Sequence, residues 1–370
     1  MAKVFVLAGG GTAGHVNPLI ATAIELQRRG HRVLALGTVE GLENDLVPRA
    51  GIEMRIVPRV PLPRRPGPGW FRFPGRLRRA VRLSREAIED VDADAVVGFG
   101  GYVSAPAYLA ARSLKVPIVV HEANARPGFA NRLGARWASA IATSFPNTPF
   151  AGAVLTGLPL RQDIVALATA SPIQRAVRRA AARQALRWPD DALAVLIMGG
   201  SLGAARINEA TVGAIERLAG HGIHALHLTG AGKGDDAELA FGDLPAKERR
   251  HYVVQEYQHD MASVFAAVDV VVCRAGAGTV AEVTALGLPA IYIPLPIGNG
   301  EQTLNAASAV AAGAAHLLEN EHLTTASLAL GLEDILLDPG TYASMARAAR
   351  GLGVADGAVR LADLIEESAR

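Results

Sequence analysis

The 370 residues exceed what one hydrophobic core usually serves, so two domains of roughly 150 to 200 residues are expected. Half the residues are hydrophobic and 19% are charged, which excludes a largely disordered or fibrous chain. The formal charge of +2 is too small for nucleic-acid binding by bulk charge, and a lone cysteine, Cys273, excludes an intramolecular disulfide, a Cys-based zinc site and a redox pair, which suits a reducing compartment.

Aromatic residues are only 5% while glycine is abundant at 39 positions, a composition that suits helices packed on a sheet. The run Val4 to Ala8 predicts a strand, and Gly9 to His15 a glycine loop. Ile20, Ile24 and Leu26 to Gly30 then read as a helix ending at glycine. Strands are expected at His31 to Gly37, Ala93 to Gly98, Pro117 to His121 and Ala140 to Ser144, with a helix near Glu40 to Pro48. At Ala192 to Met198 the opening pattern returns: a strand, the loop Gly199 to Ala204, and a helix beginning near Arg206. Further strands are predicted at His224 to Thr229, His251 to Val254, Asp269 to Cys273 and Pro289 to Ile293, and a third glycine loop over Arg274 to Thr279 precedes a helix from Val280. The pattern is α/β throughout, with the domain boundary between Gly157 and Ala170 and a last amphipathic helix over Asp356 to Ser368. Val4 to Ala8 is too short for a signal-peptide core and no run of 18 uninterrupted apolar residues occurs, so a cytoplasmic chain without a spanning segment is expected.

One segment departs from the mean. Between Met54 and Arg85 lie ten arginines and no acidic residue, interleaved with Trp70, Phe71 and Phe73 and broken by prolines. It reads as a solvated loop and helix face, or as a surface that docks on anionic lipid headgroups. Nucleic acid is a third reading, without an RNA or DNA fold to support it.

Gly9, Gly11 and Gly14 match G-x-G-x-x-G between strand and helix, and Glu40 follows the second strand where a dinucleotide enzyme places its ribose-binding acid, so a nicotinamide enzyme is a rival reading. Such turns let a phosphate approach the backbone at a helix N-terminus, although simple turn geometry explains them as well. Ser201 stands in the second loop as a phosphate contact or an ordinary N-cap. Glu282 follows the third loop by one helical turn, placed for ribose hydroxyls or as an exposed charge. At the end of the first loop, His15 is a candidate base, kept neutral by the helix dipole, or a loop-capping histidine.

Taken in order, Gly10-Gly11-Thr12-Ala13-Gly14-His15, Gly100-Gly101-Tyr102-Val103-Ser104, His121-Glu122-Ala123-Asn124, Gly199 to Ala204 and Cys273 to Glu282 strongly resemble the MurG family of peptidoglycan N-acetylglucosaminyltransferases, which convert lipid I to lipid II. The resemblance implies the GT-B fold, two Rossmann-like domains facing across a cleft. Residues 1–161, joined by a C-terminal helix over 353–370, would form the acceptor and membrane-facing domain, and 162–352 the domain for the donor UDP-N-acetylglucosamine. It further implies donor contacts from Thr12, Ala13, Gly14, Asn124, Arg161, Ser201, Glu282, Glu301 and Gln302. Ser201 would hold the phosphates, Glu282 the ribose, Glu301 and Gln302 the sugar hydroxyls, and the backbone near Tyr257 and Gln258 the uracil. Gly11, Gly100, Gly101, Tyr102 and Ser104 would receive the diphosphate of the acceptor, lipid I. Ala13, Leu202 and Glu301 depart from residues common in the family, and the last leaves open which of Glu301 and Gln302 holds the sugar.

The implied chemistry is inverting transfer to the 4-hydroxyl of the muramyl sugar, with His15 as base and helix N-termini stabilising the departing UDP. Neither a metal nor another cofactor is expected. The implied place of action is the cytoplasmic face of the membrane, by peripheral attachment to an anionic surface, with no nucleic-acid partner. A UDP-sugar transferase for another acceptor and a non-catalytic nucleotide-sugar sensor remain alternatives.

Overall fold

The computed structural model describes residues 2–61, 69–200, 204–297 and 299–370, with no side-chain detail for 69–72. The first unit, Met1–Arg161 with Asp356–Arg370, opens with β1 (Val4–Gly9), α1 (Ala13–Arg28), β2 (Arg32–Gly37), α2 (Glu43–Arg49), β3 (Glu53–Ile56) and α3 (Gly69–Asp90). It continues through β4 (Ala95–Gly100), α4 (Gly101–Leu114), β5 (Ile118–Glu122), α5 (Phe129–Gly134), β6 (Ala140–Thr143) and β7 (Val154–Leu155). All described pairings are parallel, in the order β3-β2-β1-β4-β5-β6-β7. Because both faces of a parallel sheet are covered, its strands are continuous apolar runs: Phe5 to Ala8 and Ala95 to Val97 are fully buried.

The second unit, Gln162–Ala355, begins with α6 (Gln162–Ala168), α7 (Pro172–Ala185), β8 (Leu193–Met198), α8 (Ala205–Gly220), β9 (Ile223–Leu228), α9 (Asp235–Asp243) and β10 (Tyr252–Gln255). Then follow α10 (Met261–Ala267), β11 (Val270–Cys273), α11 (Ala277–Ala285), β12 (Ala290–Tyr292), α12 (Glu301–Ala311), β13 (Ala315–Leu317), α13 (Thr325–Leu336) and α14 (Pro339–Leu352). Its parallel sheet runs β10-β9-β8-β11-β12-β13. In each sheet the chain reverses its direction of strand addition once, at β1/β4 and at β8/β11, and the crevice beyond the carboxyl ends of such a strand pair is where an open α/β sheet binds ligands.

Several boundaries differ from those read in the sequence. β4 extends through Gly98 to Gly100, carrying its glycines to the lip of the crevice. The third glycine loop is short, since α11 starts at Ala277 rather than Val280 with Gly276 as its extended N-cap, and Glu282 therefore lies in the second helical turn. β3 and β13 are four and three residues long, too short for periodicity to reveal. The basic segment folds from Gly69 as one 22-residue helix, α3, with Pro74 at its sixth position, where the ring removes one i→i−4 hydrogen bond.

The last helix, α15 (Gly357–Ser368), rejoins the first unit, burying Leu361, Ala362 and Ile365 in the core that also holds Leu19 and Leu26 of α1. Arg29 fastens it through Asp363 at 2.7 Å and Glu366 at 3.0 Å, and His31 meets the same Glu366 at 2.8 Å. In the second unit Asp269 anchors α7: its carboxylate receives Arg183 at 3.0 Å, Arg179 at 2.5 Å and the Ala194 N–H at 2.9 Å. Arg183 has no exposed surface, so removing its counter-ion strands a buried charge. Asp269→Ala is expected to cost about 3–5 kcal/mol of stability, read as an earlier denaturant transition of this unit than in the unaltered chain.

Candidate active site

At the β1/β4 switch point two glycine turns meet backbone to backbone. Gly101 has φ +78° and a Cβ there would stand 2.3 Å from the Gly10 carbonyl oxygen, so no other residue fits without parting the loops. Gly100, at φ +98°, lies against the imidazole of His15, with Nε2 only 3.0 Å from where a Cβ would be. Beneath them Ser104 is fully buried, accepting the Gly100 N–H at 2.9 Å and lying 2.8 Å from the carbonyls of Ala8 and Gly100. Its hydroxyl thus builds the turn and does not reach an acceptor, which corrects the expectation from sequence. Tyr102, half-buried, lines a small cleft with Gly11, Glu40 and Arg59, and the Arg59 guanidinium sits 4.7 Å above its ring.

His15 is the third residue of α1 and half-buried. Its Nδ1 lies 3.2 Å from the Gly10 carbonyl, which can only accept, so Nδ1 carries the proton; Thr12 Oγ1 is 3.4 Å away. Nε2 is left with its lone pair, and no described group hydrogen-bonds it. Burial holds the imidazole below its ordinary pKa, against the opposing pull of Glu122, the Gly10 carbonyl and Glu43. The ring is therefore neutral at pH 7, and burial supplies the reason where the sequence suggested the helix dipole.

Behind it stands a buried polar network that sequence reasoning did not assign. Glu122 at the end of β5 accepts the N–H groups of Asn124 at 2.9 Å and Gly128 at 3.0 Å and the Asn131 amide at 2.9 Å, while Tyr108 donates to Asn131 at 2.9 Å. The side chain of Asn124 also faces Glu122, at 3.5 Å. His121 is fully buried, contacts Ser144 at 3.3 Å and is pushed down to about 4, mainly by burial. Glu43 of α2 lies inside the first glycine loop and takes the Gly11 N–H at 2.8 Å. That N–H is the one a dinucleotide phosphate would need, and the exposed Glu40 lies beside a carboxylate already in its place, so this turn does not suit a nicotinamide cofactor.

Thr12, Ala13 and Gly14 form the exposed N-terminus of α1, and Arg161 is half-buried at the end of the first unit. At the β8/β11 switch point, Ser201 lies outside the described residues, as do Leu202 and Gly203. Glu282 is half-buried on α11 near Cys273, whose buried thiol is pushed up by burial first and by Glu282 second. Arg274 is fixed on the carbonyls of Ile293 and Pro294 at 3.1 and 3.0 Å and on Asn320 at 2.8 Å. Glu301 and Gln302 open α12: Glu301 accepts the Asn299 N–H and Gln302 the Leu295 N–H, each at 2.9 Å. Gln258 takes the Asp260 N–H at 3.1 Å and faces Gln255 at 3.5 Å, while neighbouring Tyr257 is exposed. The Asp-x-Asp spacing of Asp90, Asp92 and Asp94 precedes β4, at the N-terminal end of the strands and away from the loops, where Asp94 takes the Val4 N–H at 2.7 Å and Asp90 pairs with Arg55 at 2.5 Å.

His121 in the first unit and His224 and His227 in the second are each held near a pKa of about 4 by burial. Unfolded, each protonates around the ordinary 6.5, so below that pH the unfolded chain binds protons that the folded chain refuses. Stability contributed by these residues is intact above pH ~6.5 and is expected to fall as pH drops from ~6.5 towards ~4. Denaturant titrations at fixed salt across that range check it.

The family comparisons agree with this geometry. Residues 5–143 match the glycosyltransferase family 28 N-terminal domain and residues 194–361 its C-terminal domain. Among curated relatives, the UDP-N-acetylglucosamine--N-acetylmuramyl-(pentapeptide) pyrophosphoryl-undecaprenol N-acetylglucosamine transferase of Paenarthrobacter aurescens is 46% identical, covering 98% of this chain and 95% of the relative. The Mycobacterium tuberculosis protein of the same name is also 46% identical, over 96% of this chain and 87% of its own. The crystal structure of Acinetobacter baumannii MurG superposes with a TM-score of 0.77 at 31% identity, over 99% of this chain and all of that one. Two parallel-sheet α/β units, each with one switch point, and two family models in sequence order, show that the chain belongs to glycosyltransferase family 28 and has the α/β units of the GT-B fold.

Proposed function

We propose that this chain transfers N-acetylglucosamine from UDP-N-acetylglucosamine to the 4-hydroxyl of the muramyl sugar of lipid I, giving lipid II. The observation that carries the reading is the near-full-length 46% identity to transferases named for that donor and acceptor. The first unit's geometry supports it with a base suited to a sugar hydroxyl: a neutral imidazole whose Nδ1 is tied down and whose Nε2 is bare. In this reading His15 Nε2 takes the proton as the acceptor oxygen attacks the anomeric carbon, UDP leaves, and a β-1,4 bond forms with inversion. Gly11, Gly100, Gly101 and Tyr102 receive the acceptor diphosphate, with Arg59 above Tyr102 as a further cation. On the second unit Glu282 takes the ribose hydroxyls, Glu301 and Gln302 the sugar, the backbone near Gln258 the uracil, and the N-termini of α8 and α11 the charge of the departing diphosphate.

The direct test is transfer from radiolabelled UDP-N-acetylglucosamine to a lipid I analogue, undiminished by EDTA. His15→Ala is expected to lower kcat by roughly 10²–10⁴-fold with UDP affinity unchanged. Full turnover in that variant would remove His15 from the role.

No helix among the described residues is long and apolar enough to cross a membrane. We attribute attachment at the cytoplasmic face to α3 and the segment before it. Arg82 and Arg85 pair along the helix with Glu86 and Glu89, whereas Arg76, Arg78 and Arg79 are exposed and meet no described acidic side chain. Arg64 and Arg65 lie outside the described residues. The protein is expected to sediment with anionic but not neutral vesicles, less so as salt rises, and Arg76→Ser with Arg78→Ser and Arg79→Ser should weaken this without altering UDP binding. Equal sedimentation of the triple variant would make that face merely solvated.

A further inference from the structure

The transfer as described makes no use of Glu43, although its side chain is 1% exposed and touches the loop that carries His15. We infer that Glu43 is a positioning residue for the reaction: its carboxylate grips the Gly10–Gly11 peptide by the N–H end, so that the carbonyl end holds His15 in the tautomer whose Nε2 can take a proton. This rests on the reading of His15 as the base.

The Gly10 carbonyl and the Gly11 N–H belong to one planar peptide unit, and fixing either end fixes the other. Glu43 Oε2 accepts the Gly11 N–H at 2.8 Å, and the Gly10 oxygen accepts His15 Nδ1–H at 3.2 Å. Glu43 is itself immobilised, because Oε1 takes both the N–H and the hydroxyl of Thr38, at 2.9 and 2.8 Å, just beyond β2. The sequence leaves room for this side chain at three glycines: a Cβ on Gly10, Gly37 or Gly41 would come within 2.4, 2.7 or 2.0 Å of it.

A buried carboxylate is costly unless donors surround it. Burial alone would raise the Glu43 pKa, but the N–H groups of Gly11 and Thr38 outweigh it and hold the group below the ordinary value, so it is charged at pH 7. A full negative charge at the N–H end of the peptide polarises the carbonyl at the other end, making it a stronger acceptor for Nδ1–H. Two carboxylates bear on the imidazole, Glu122 from β5 and Glu43 from α2, and both favour its protonation; His121 on β5, itself held near a pKa of about 4, is neutral where His15 titrates. Replacing Glu43 by a neutral residue therefore lowers the affinity of Nε2 for a proton as well as loosening the ring.

Two measurements test the inference. In the unaltered protein, long-range ¹H–¹⁵N NMR at a pH where His15 is neutral, with the signal assigned by its loss in His15→Ala, should show Nδ1 protonated and Nε2 bare. Protonation on Nε2 overturns the inference without any change to Glu43. In Glu43→Gln, kcat should fall by about 10–100-fold, KM for UDP-N-acetylglucosamine should hold, and the acid limb of the kcat profile should move to lower pH. A reduced kcat with the pH profile and tautomer unchanged would leave Glu43 a purely structural residue, against the inference. Failure of the base assignment is read separately, as full turnover in His15→Ala, and does not alter what the tautomer measurement reports.

Discussion

Much of the first unit's crevice depends on one steric fact, the contact of Gly101 with the carbonyl oxygen of Gly10. The backbones approach this closely only because Gly101 carries no Cβ, and the approach brings the C-terminal ends of β1 and β4 together into one floor. From that floor follow the position of His15 against Gly100, the burial of Ser104 as a strut below the turn, and the use of the Gly10 carbonyl as the anchor for an imidazole. Gly100 and Gly101 thus shape the surroundings of His15 directly.

The two units share one topology at their centres and differ in what they bury beside the crevice. The first places two carboxylates, Glu43 and Glu122, among backbone and amide donors near a neutral histidine. In the second, Asn208 Oδ1 accepts from His227 Nε2 at 3.1 Å, so His227 Nδ1 accepts the Tyr252 hydroxyl at 2.7 Å, and Asn208 donates onward to the Thr229 carbonyl at 3.0 Å. Hydrogen-bonded networks of this kind rigidify the strand ends from which the loops depart. The first unit thus surrounds its neutral histidine with charged acceptors, and the second sets a chain of neutral dipoles beside its strand ends.

Strand, glycine loop and helix were legible at β1, β8 and β11 because parallel strands buried on both faces are unbroken apolar runs, meeting glycine at once in β1 and after β8 and at Gly276, three residues beyond β11. The short edge strands β3 and β13 and the start of α11 were not, since small residues such as Ala277 and Gly278 suit a loop and a first helical turn alike. His15 was visible in the sequence because it closes a glycine motif. Glu43, in contrast, lies 32 residues from the Gly11 it binds, in a charged stretch that periodicity assigns to a helix surface. The one available signal was indirect: Gly37 and Gly41 bracket the approach to it, and their purpose is apparent only once the side chain they admit is seen. Ser104 misled for the converse reason, as a hydroxyl in a glycine-rich motif looks like a ligand contact until its partners are known.

The central claim is that the Gly10–Gly11 peptide is locked from both ends although Gly11 itself is exposed. Amide hydrogen exchange at Gly11 measures the lock directly. An exposed loop N–H turned to solvent exchanges at nearly the rate of an unstructured chain, whereas one donated to a buried, charged carboxylate exchanges only when the loop opens. The account predicts a Gly11 amide markedly slower than that of neighbouring Thr12 across pH 6 to 8; equal, unprotected exchange at the two residues would contradict it.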